Sequence, residues 1–304
     1  MLGRRTILTS ALGAVAVAAL PRAFAAGTKI DVARVTDSIA LLTGAGGNVL
    51  ALGTSEGLVV VDSGAPVATA DLQAALGALP NGGRIRTLFN THWHHEQTGG
   101  NEALGHGAAI VAHEKTRQRL SIGYYVPAED RYEKPVPIAA QPTESFYTTG
   151  ETKIANQRVE YGYLLEAHTD GDCYVYFRDA NVIAVGDAVS PTRDPELDWF
   201  GGGWLGGRVD ALDLLLKLGN ANTKYVPSYG GAVGRIDVQK ERDMSLKLFE
   251  RFVDLVRKGQ SADDIFAAGI TNDTGRTWAD PKKFVHDAFK GFWAHHNTLM
   301  PDIV

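Results

Sequence analysis

Cysteine is nearly missing from this chain: Cys173 is the only one in 304 residues. No disulfide can form within the chain, so stability must come from a packed core, for which the length is ample. Also missing is an apolar run long enough to span a bilayer comfortably, which takes about 20 residues; the run from Ile7 to Leu20 falls short. Positive charge is scarce, with 30 Lys and Arg against 35 Asp and Glu and a formal net charge of −5. That balance argues against a nucleic-acid partner, because such binding rests on Lys and Arg at phosphates. There is no obvious internal repeat and no linker that would make one part of the chain independent.

What is present begins with Arg4-Arg5, the apolar run to Leu20, Arg22 and a small-x-small step at Ala23-Phe24-Ala25. Residues 1–26 therefore read as an export signal of the twin-arginine type, with an ordinary secretory signal as the alternative. The expected destination is periplasmic or secreted, with no stable membrane insertion after the signal is removed. Loss of Arg4, Arg5 and Arg22 takes the formal charge from −5 to −8.

Short apolar runs at Ile39–Thr43, Asn48–Leu52 and Leu58–Asp62, separated by Gly-rich turns, predict strands. Ala68–Leu79 has helical spacing. Ile85–Asn90 is a buried-type strand, and a strand-helix unit follows at Ala109–Ala112 and Glu114–Leu120. Residues 121–144 carry Tyr124, Tyr125 and Tyr132 without clear periodicity, which suggests a lid or cleft wall. The pattern then repeats, with strands at Arg158–Leu164, Tyr174–Phe177 and Val182–Val185, a helix at Val209–Leu218 and a strand at Lys224–Val226. Helices are expected at Val238–Lys258, Ala262–Ala268 and Pro281–His295. Two blocks of strands followed by helices suggest two sheets face to face with helices outside. One α/β domain is expected over 28–260, with a helical extension over 261–304 packed on it.

The most informative stretch is Thr91-His92-Trp93-His94-His95-Glu96-Gln97-Thr98-Gly99-Gly100-Asn101. Two histidines one residue apart at a strand end lie on one side of the chain, so His92 and His94 can reach one metal. Further on come Ala167-His168-Thr169-Asp170-Gly171-Asp172, Val185-Gly186-Asp187 and Pro227-Ser228-Tyr229-Gly230, with Val61-Asp62-Ser63-Gly64 upstream. From about 39 to about 235, this series resembles the metallo-β-lactamase superfamily, whose signature is Thr-His-x-His-x-Asp-His-x-Gly-Gly-Asn. The resemblance implies a four-layer αββα sandwich. It implies metal ligation by His92, His94 and His168, with Asp187 as the carboxylate shared between two metals. At the remaining ligand positions this chain has Glu96, Gln97 and Tyr229, and all three belong to the second metal.

Zinc prefers thiolate, imidazole and carboxylate, whereas Gln97 offers a neutral amide and Tyr229 a phenol with a pKa near about 10. One zinc is therefore expected, with the second position empty or weak; iron and manganese remain open for the same histidines. A three-histidine metal with an open position gives hydroxide near neutral pH. The expected activity is hydrolysis of a small molecule, an ester, lactone or amide, with β-lactams included, through that metal-bound hydroxide. Glu96, Asp187 and Tyr229 are the catalytic candidates: Glu96 as base, Asp187 as ligand or water-holding carboxylate, Tyr229 as proton or hydrogen-bond donor. The rival readings are a degenerate metal- or ligand-binding protein, whose shell Asp187 closes, and an iron-dependent redox or sulfur-transfer enzyme. His95 is expected behind the ligands or at the surface, His113 to be structural and the His295-His296 pair to be solvated, while His106 gives no signal. Trp199 and Trp204, in a Gly-rich loop, either meet an apolar substrate or anchor the loop.

Overall fold

The computed structural model describes residues 27–126 and 130–299, so the expected export signal lies outside the described residues. The first sheet holds β1 (Asp31–Arg34), β2 (Ile39–Ala45), β3 (Gly47–Thr54), β4 (Gly57–Val61), β5 (Ile85–Asn90), β6 (Ala109–His113) and β9 (Glu144–Phe146), in that spatial order. Its first four strands form an antiparallel meander, and β5, β6 and β9 add in parallel. The second sheet runs β10 (Thr149–Ile154), β11 (Gln157–Tyr163), β12 (Cys173–Phe177), β13 (Val182–Gly186), β14 (Lys224–Pro227) and β15 (Val233–Gly234). Only its β13–β14 pair is parallel.

The central strands are apolar on both faces because both faces are covered. Leu50, Leu52, Val59 and Val61 point between the sheets, where they meet Val159, Val175, Phe177 and Val226 of the second sheet. Their neighbours Val49, Ala51, Leu58 and Val60 face outward under α1 (Thr69–Gly77) and α3 (Asn101–Leu104). The outer face of the second sheet packs Tyr174, Tyr176, Ile183 and Val185 against α5 (Leu205–Leu218) and Val238 of α6 (Arg235–Arg257). The result is the four-layer αββα sandwich expected from sequence. Along α6, Met244, Leu248 and Phe252 recur every fourth residue. They form an apolar stripe against Ile265 of α7 (Ala262–Ala267) and Phe284 and Val285 of α8 (Pro281–Leu299). Among the described residues no helix is long and apolar enough to cross a membrane.

Several elements differ from expectation for physical reasons. β1 is exposed along its whole length and β10 on half of its residues, so neither carries a hydrophobic signal. Helix α5 starts at Leu205, four residues before the predicted Val209. Its Gly206-Gly207 pair looks like a helix breaker, but a Cβ on Gly207 would lie 2.5 Å from the carbonyl oxygens of Leu165 and Glu166. The glycines thus allow the helix to press on the neighbouring backbone. The aperiodic stretch 121–144 contains a small hairpin, β7 (Tyr124–Val126) with β8 (Arg131–Glu133).

Candidate metal centre

Strand β5 ends at Asn90 and delivers Thr91 to His94 as an extended loop; His94 then caps the short helix α2 (His95–Thr98). His92 and His94 come to one side, as inferred from sequence, with ring centroids 4.8 Å apart. Trp93 is buried beside His94, its indole donating to Asp170 at 3.2 Å with Arg119 over its ring. His168 enters from the β11–β12 loop, which Asp172 ties down by accepting from the backbone N–H groups of His168 (2.6 Å) and Thr169 (2.9 Å).

One nitrogen each of His92, His94 and His168 forms a group whose atoms all lie within 4.8 Å of one another. It is the only such group of metal-ligating side chains among the described residues. What surrounds each ring decides which nitrogen is free. Thr91 Oγ1 gives its proton to Asp62 at 2.9 Å, so its oxygen is left to accept from His92 Nδ1 at 3.3 Å. His168 Nδ1 faces the Glu196 carbonyl at 2.9 Å and must donate to it. His94 Nε2 donates to Asp198 at 3.1 Å. These bonds leave His92 Nε2, His94 Nδ1 and His168 Nε2 as the lone-pair atoms, and all three face inward. Outer acceptors fix the tautomer and orientation of metal-binding histidines in this way.

Two further observations fit a metal. His92 Nε2 is buried without any hydrogen-bond partner, an arrangement that costs free energy unless something fills the space. His94 Nδ1 and His168 Nε2 stand 3.2 Å apart, close to the roughly 3.3 Å expected between tetrahedral corners with bonds of about 2.0–2.1 Å. Burial, with the neighbouring rings of His94 and His168, keeps His92 neutral by lowering its pKa well below the ordinary value. At His94, burial opposes the charged form but Asp198 more than offsets it, and its pKa is raised.

The three candidate catalytic residues are placed differently. Asp187 follows Gly186, whose φ of +55° favours glycine and whose added Cβ would come within 3.0 Å of the Thr91 hydroxyl. Asp187 is buried and sits beside the triad, with Oδ2 at 3.7 Å from His92 Nε2. It lies outside the compact three-histidine group. Tyr229 lines the same cleft, and burial with the nearby Asp187 charge raises its phenol pKa. Glu96 is exposed on the cleft wall. Gln97 is buried and turns its amide to the Ser228 hydroxyl at 3.3 Å. Glu96, Gln97 and Tyr229 therefore form no second metal-binding group.

The cleft has a volume of about 550 Å³. Trp93, Tyr124, Tyr125, Trp199 and Phe200 supply aromatic surface, and Arg193, Lys283 and Lys290 supply positive charge. The two tryptophans of the Gly-rich loop separate. Trp199 faces the cleft, while Trp204 anchors the loop by stacking on His295 at 3.8 Å. The expectation that His295 is solvated is corrected: its side chain is 18% exposed and pairs with Glu166 at 2.9 Å. His95 pairs with Glu133 at 2.9 Å. His113 is buried, stacked on Tyr163 and bonded to the Tyr147 carbonyl. Sequence reasoning missed Asp198, Arg193, Lys283 and Lys290, because their arrival at this cleft is purely tertiary.

A sequence model of the Metallo-beta-lactamase superfamily matches residues 42–229. No curated protein sequence matches the chain. Among solved structures, a metallo-beta-lactamase from Pontibacter korlensis superposes with a TM-score of 0.58 at 20% identity, over 72% of this chain and 99% of that one. A double mutant of the sec-alkyl sulfatase PisA1 gives a TM-score of 0.67 at 15% identity, over 90% of this chain and 52% of that one. The stereoselective inverting sec-alkylsulfatase Pisa1 from Pseudomonas sp. gives 0.63 at 14% identity, over 89% and 50%. This chain thus spans about half the length of the sulfatases, and likenesses at these identities establish the fold.

Proposed function

The chain belongs to the metallo-β-lactamase superfamily, and from that premise we propose that it is an exported hydrolase working with one divalent metal, zinc by preference, on His92, His94 and His168. The observation that carries this reading is the convergence of three lone-pair nitrogens whose partner nitrogens are each bound to an outside acceptor. A metal held by three protein ligands with an open position supplies Lewis acidity and brings the pKa of water to about 7.

The remaining roles fall to the protein's own groups. Asp187 is the carboxylate nearest the triad and holds the attacking water, with its Oδ2 turned to the histidine side. Tyr229 keeps its proton, because its pKa is raised, and donates to the developing oxyanion or the leaving group. Glu96, exposed at the cleft wall, is the base that carries protons out to solvent. The aromatic wall favours a substrate with an apolar or aromatic portion.

The substrate class is an ester, lactone or amide, with β-lactams included. A sulfate ester joins the same group, since the likeness to alkylsulfatases reaches into the C-terminal helices and cations line the cleft. Assay of the metal-loaded protein on a panel of aryl esters, lactones, β-lactams and alkyl sulfates tests the reading. Turnover that disappears on chelation and returns with metal is the expected result. A silent panel from a fully loaded protein would favour a binding role.

A further inference from the structure

The second sheet ends on β10, which among the described residues pairs with β11 alone and leaves its other edge open. An open strand edge is a template for another strand. The register decides which backbone groups that edge offers. Tyr163 N–H donates to the Thr148 carbonyl at 2.8 Å, and at the far end Ile154 opposes Gln157 across a tight turn. Bonded and non-bonded pairs alternate along an antiparallel ladder, so the even-numbered residues of β10 exchange hydrogen bonds with β11. The N–H and C=O groups of Thr149, Glu151 and Lys153 point the other way. Glu56 accepts the Ala155 N–H at 2.9 Å and closes the edge just beyond Lys153.

The side chains of β10 separate by face. Ile154 lies in the core between the sheets. The Tyr161 ring covers Gly150 so closely that a Cβ there would lie 2.3 Å from it. Thr149, Glu151 and Lys153 are exposed. Among the described residues, neither Glu151 nor Lys153 has an ion-pair partner.

An antiparallel copy of the strand must set outward-bonding residues against outward-bonding residues. Three registers then oppose charge to charge. Glu151 against the partner's Glu151, or Lys153 against the partner's Lys153, brings like charges together and destabilises the pair. The register centred on Thr152 instead sets Glu151 against the partner's Lys153 and Lys153 against the partner's Glu151. Both contacts are then attractive, and they fall where the free backbone groups meet. A lysine on a strand edge ordinarily discourages pairing, but here it lands opposite a carboxylate. The same register carries Tyr147, 71% exposed just ahead of the strand, to the partner's Gln157.

We infer that β10 is the docking edge for a second copy of this chain, paired antiparallel about a two-fold axis at Thr152. The two six-stranded sheets become one continuous sheet, and the contact is isologous, as in closed dimers. No residue of β10 lines the metal cleft, so the inference stands apart from the hydrolase reading.

Analytical ultracentrifugation of the metal-loaded protein from about 1 μM to about 1 mM covers weak to moderate association. Wild type should show a monomer–dimer equilibrium. Glu151→Lys and Lys153→Glu should each weaken it by about tenfold or more, because two attractive pairs become two repulsive ones. The double reversal should restore it. Both side chains are exposed, so all three variants should keep the unfolding midpoint of the wild-type monomer. Hydrogen exchange locates the contact: the Glu151 and Lys153 amides should gain protection as concentration rises, and the Thr152 amide, already bonded to β11, should not. A wild type that stays monomeric over the whole range would overturn the inference. So would a dimer indifferent to the single reversals, a double reversal no better than either single one, or exchange at Glu151 and Lys153 that ignores concentration.

Discussion

His94 Nδ1 and His168 Nε2 face each other across 3.2 Å, a separation that a proton or a metal ion between them can bridge. Asp198 holds the far nitrogen of the first ring and the Glu196 carbonyl that of the second. With both far nitrogens held from outside, the two facing nitrogens and His92 Nε2 are arranged as a metal would need them.

Removing one ring should therefore empty the site. For His168→Ala we expect loss of bound metal and loss of the rise in melting temperature that added zinc gives the wild type. At 100 times the dissociation constant that rise corresponds to about 2.7 kcal/mol. Metal analysis and thermal melts with and without zinc check this. Retained stoichiometric metal in the variant would remove His168 from the ligand set.

The Asp198 carboxylate bonds to the His94 ring and to the Gly201 backbone, so Asp198→Ala removes the outer partner of His94 while keeping the backbone bond to His168. An affinity loss of about 10–100-fold for zinc is expected, the usual effect of losing a ligand's outer partner. The far-ultraviolet circular dichroism should be unchanged. Competition with a chromophoric chelator measures the affinity, and an unchanged value would make the Asp198 contact incidental.

Gly203 presses on the histidine loop so closely that an added Cβ would lie 1.9 Å from the His168 carbonyl oxygen. Gly203→Ala must push the Asp198 loop away from His168. Destabilisation of about 1–3 kcal/mol is expected from this overpacking, together with weaker metal binding. Urea denaturation and the chelator competition report the two effects.

Arg208 is fully buried, pairs with Glu241 and donates to the Asp187 carbonyl at 2.8 Å. Glu241 in turn accepts from the Ser190 backbone at 2.9 Å. Glu241→Ala leaves an uncompensated buried charge, and a loss of about 3–5 kcal/mol is expected. Urea unfolding midpoints measure it, and a loss below about 1 kcal/mol would contradict the assignment.

The Arg117 guanidinium and the Ser145 hydroxyl hold Glu114 from an ordinary 4.5 down to about 2. A carboxylate depressed on folding stabilises fully above its unfolded pKa and loses that contribution as pH falls through the folded value. The window is thus about pH 4.5 down to 2. Wild type should lose more stability than Glu114→Gln across it, as read from urea midpoints at a series of pH values.

His92, His94 and the αββα layering were legible because they follow local rules: alternation along an extended segment, and apolar runs covered on both faces. Asp198, Arg193, Lys283 and Lys290 were not, because nothing in their neighbours forecasts a loop after β13 and a C-terminal helix meeting at this cleft. The helix expected from Val209 starts at Leu205, because Gly206-Gly207 permits close packing of its first turn. The His295-His296 pair looked solvated at the end of a helix, and only the contact with Trp204 and Glu166 shows otherwise for His295.

The central claim is a single metal on three histidines. Metal content of the purified protein, loaded with excess zinc and then passed through a desalting column, tests it most directly. One equivalent per chain that falls to none in His168→Ala is the predicted result. Two tightly held equivalents would contradict it.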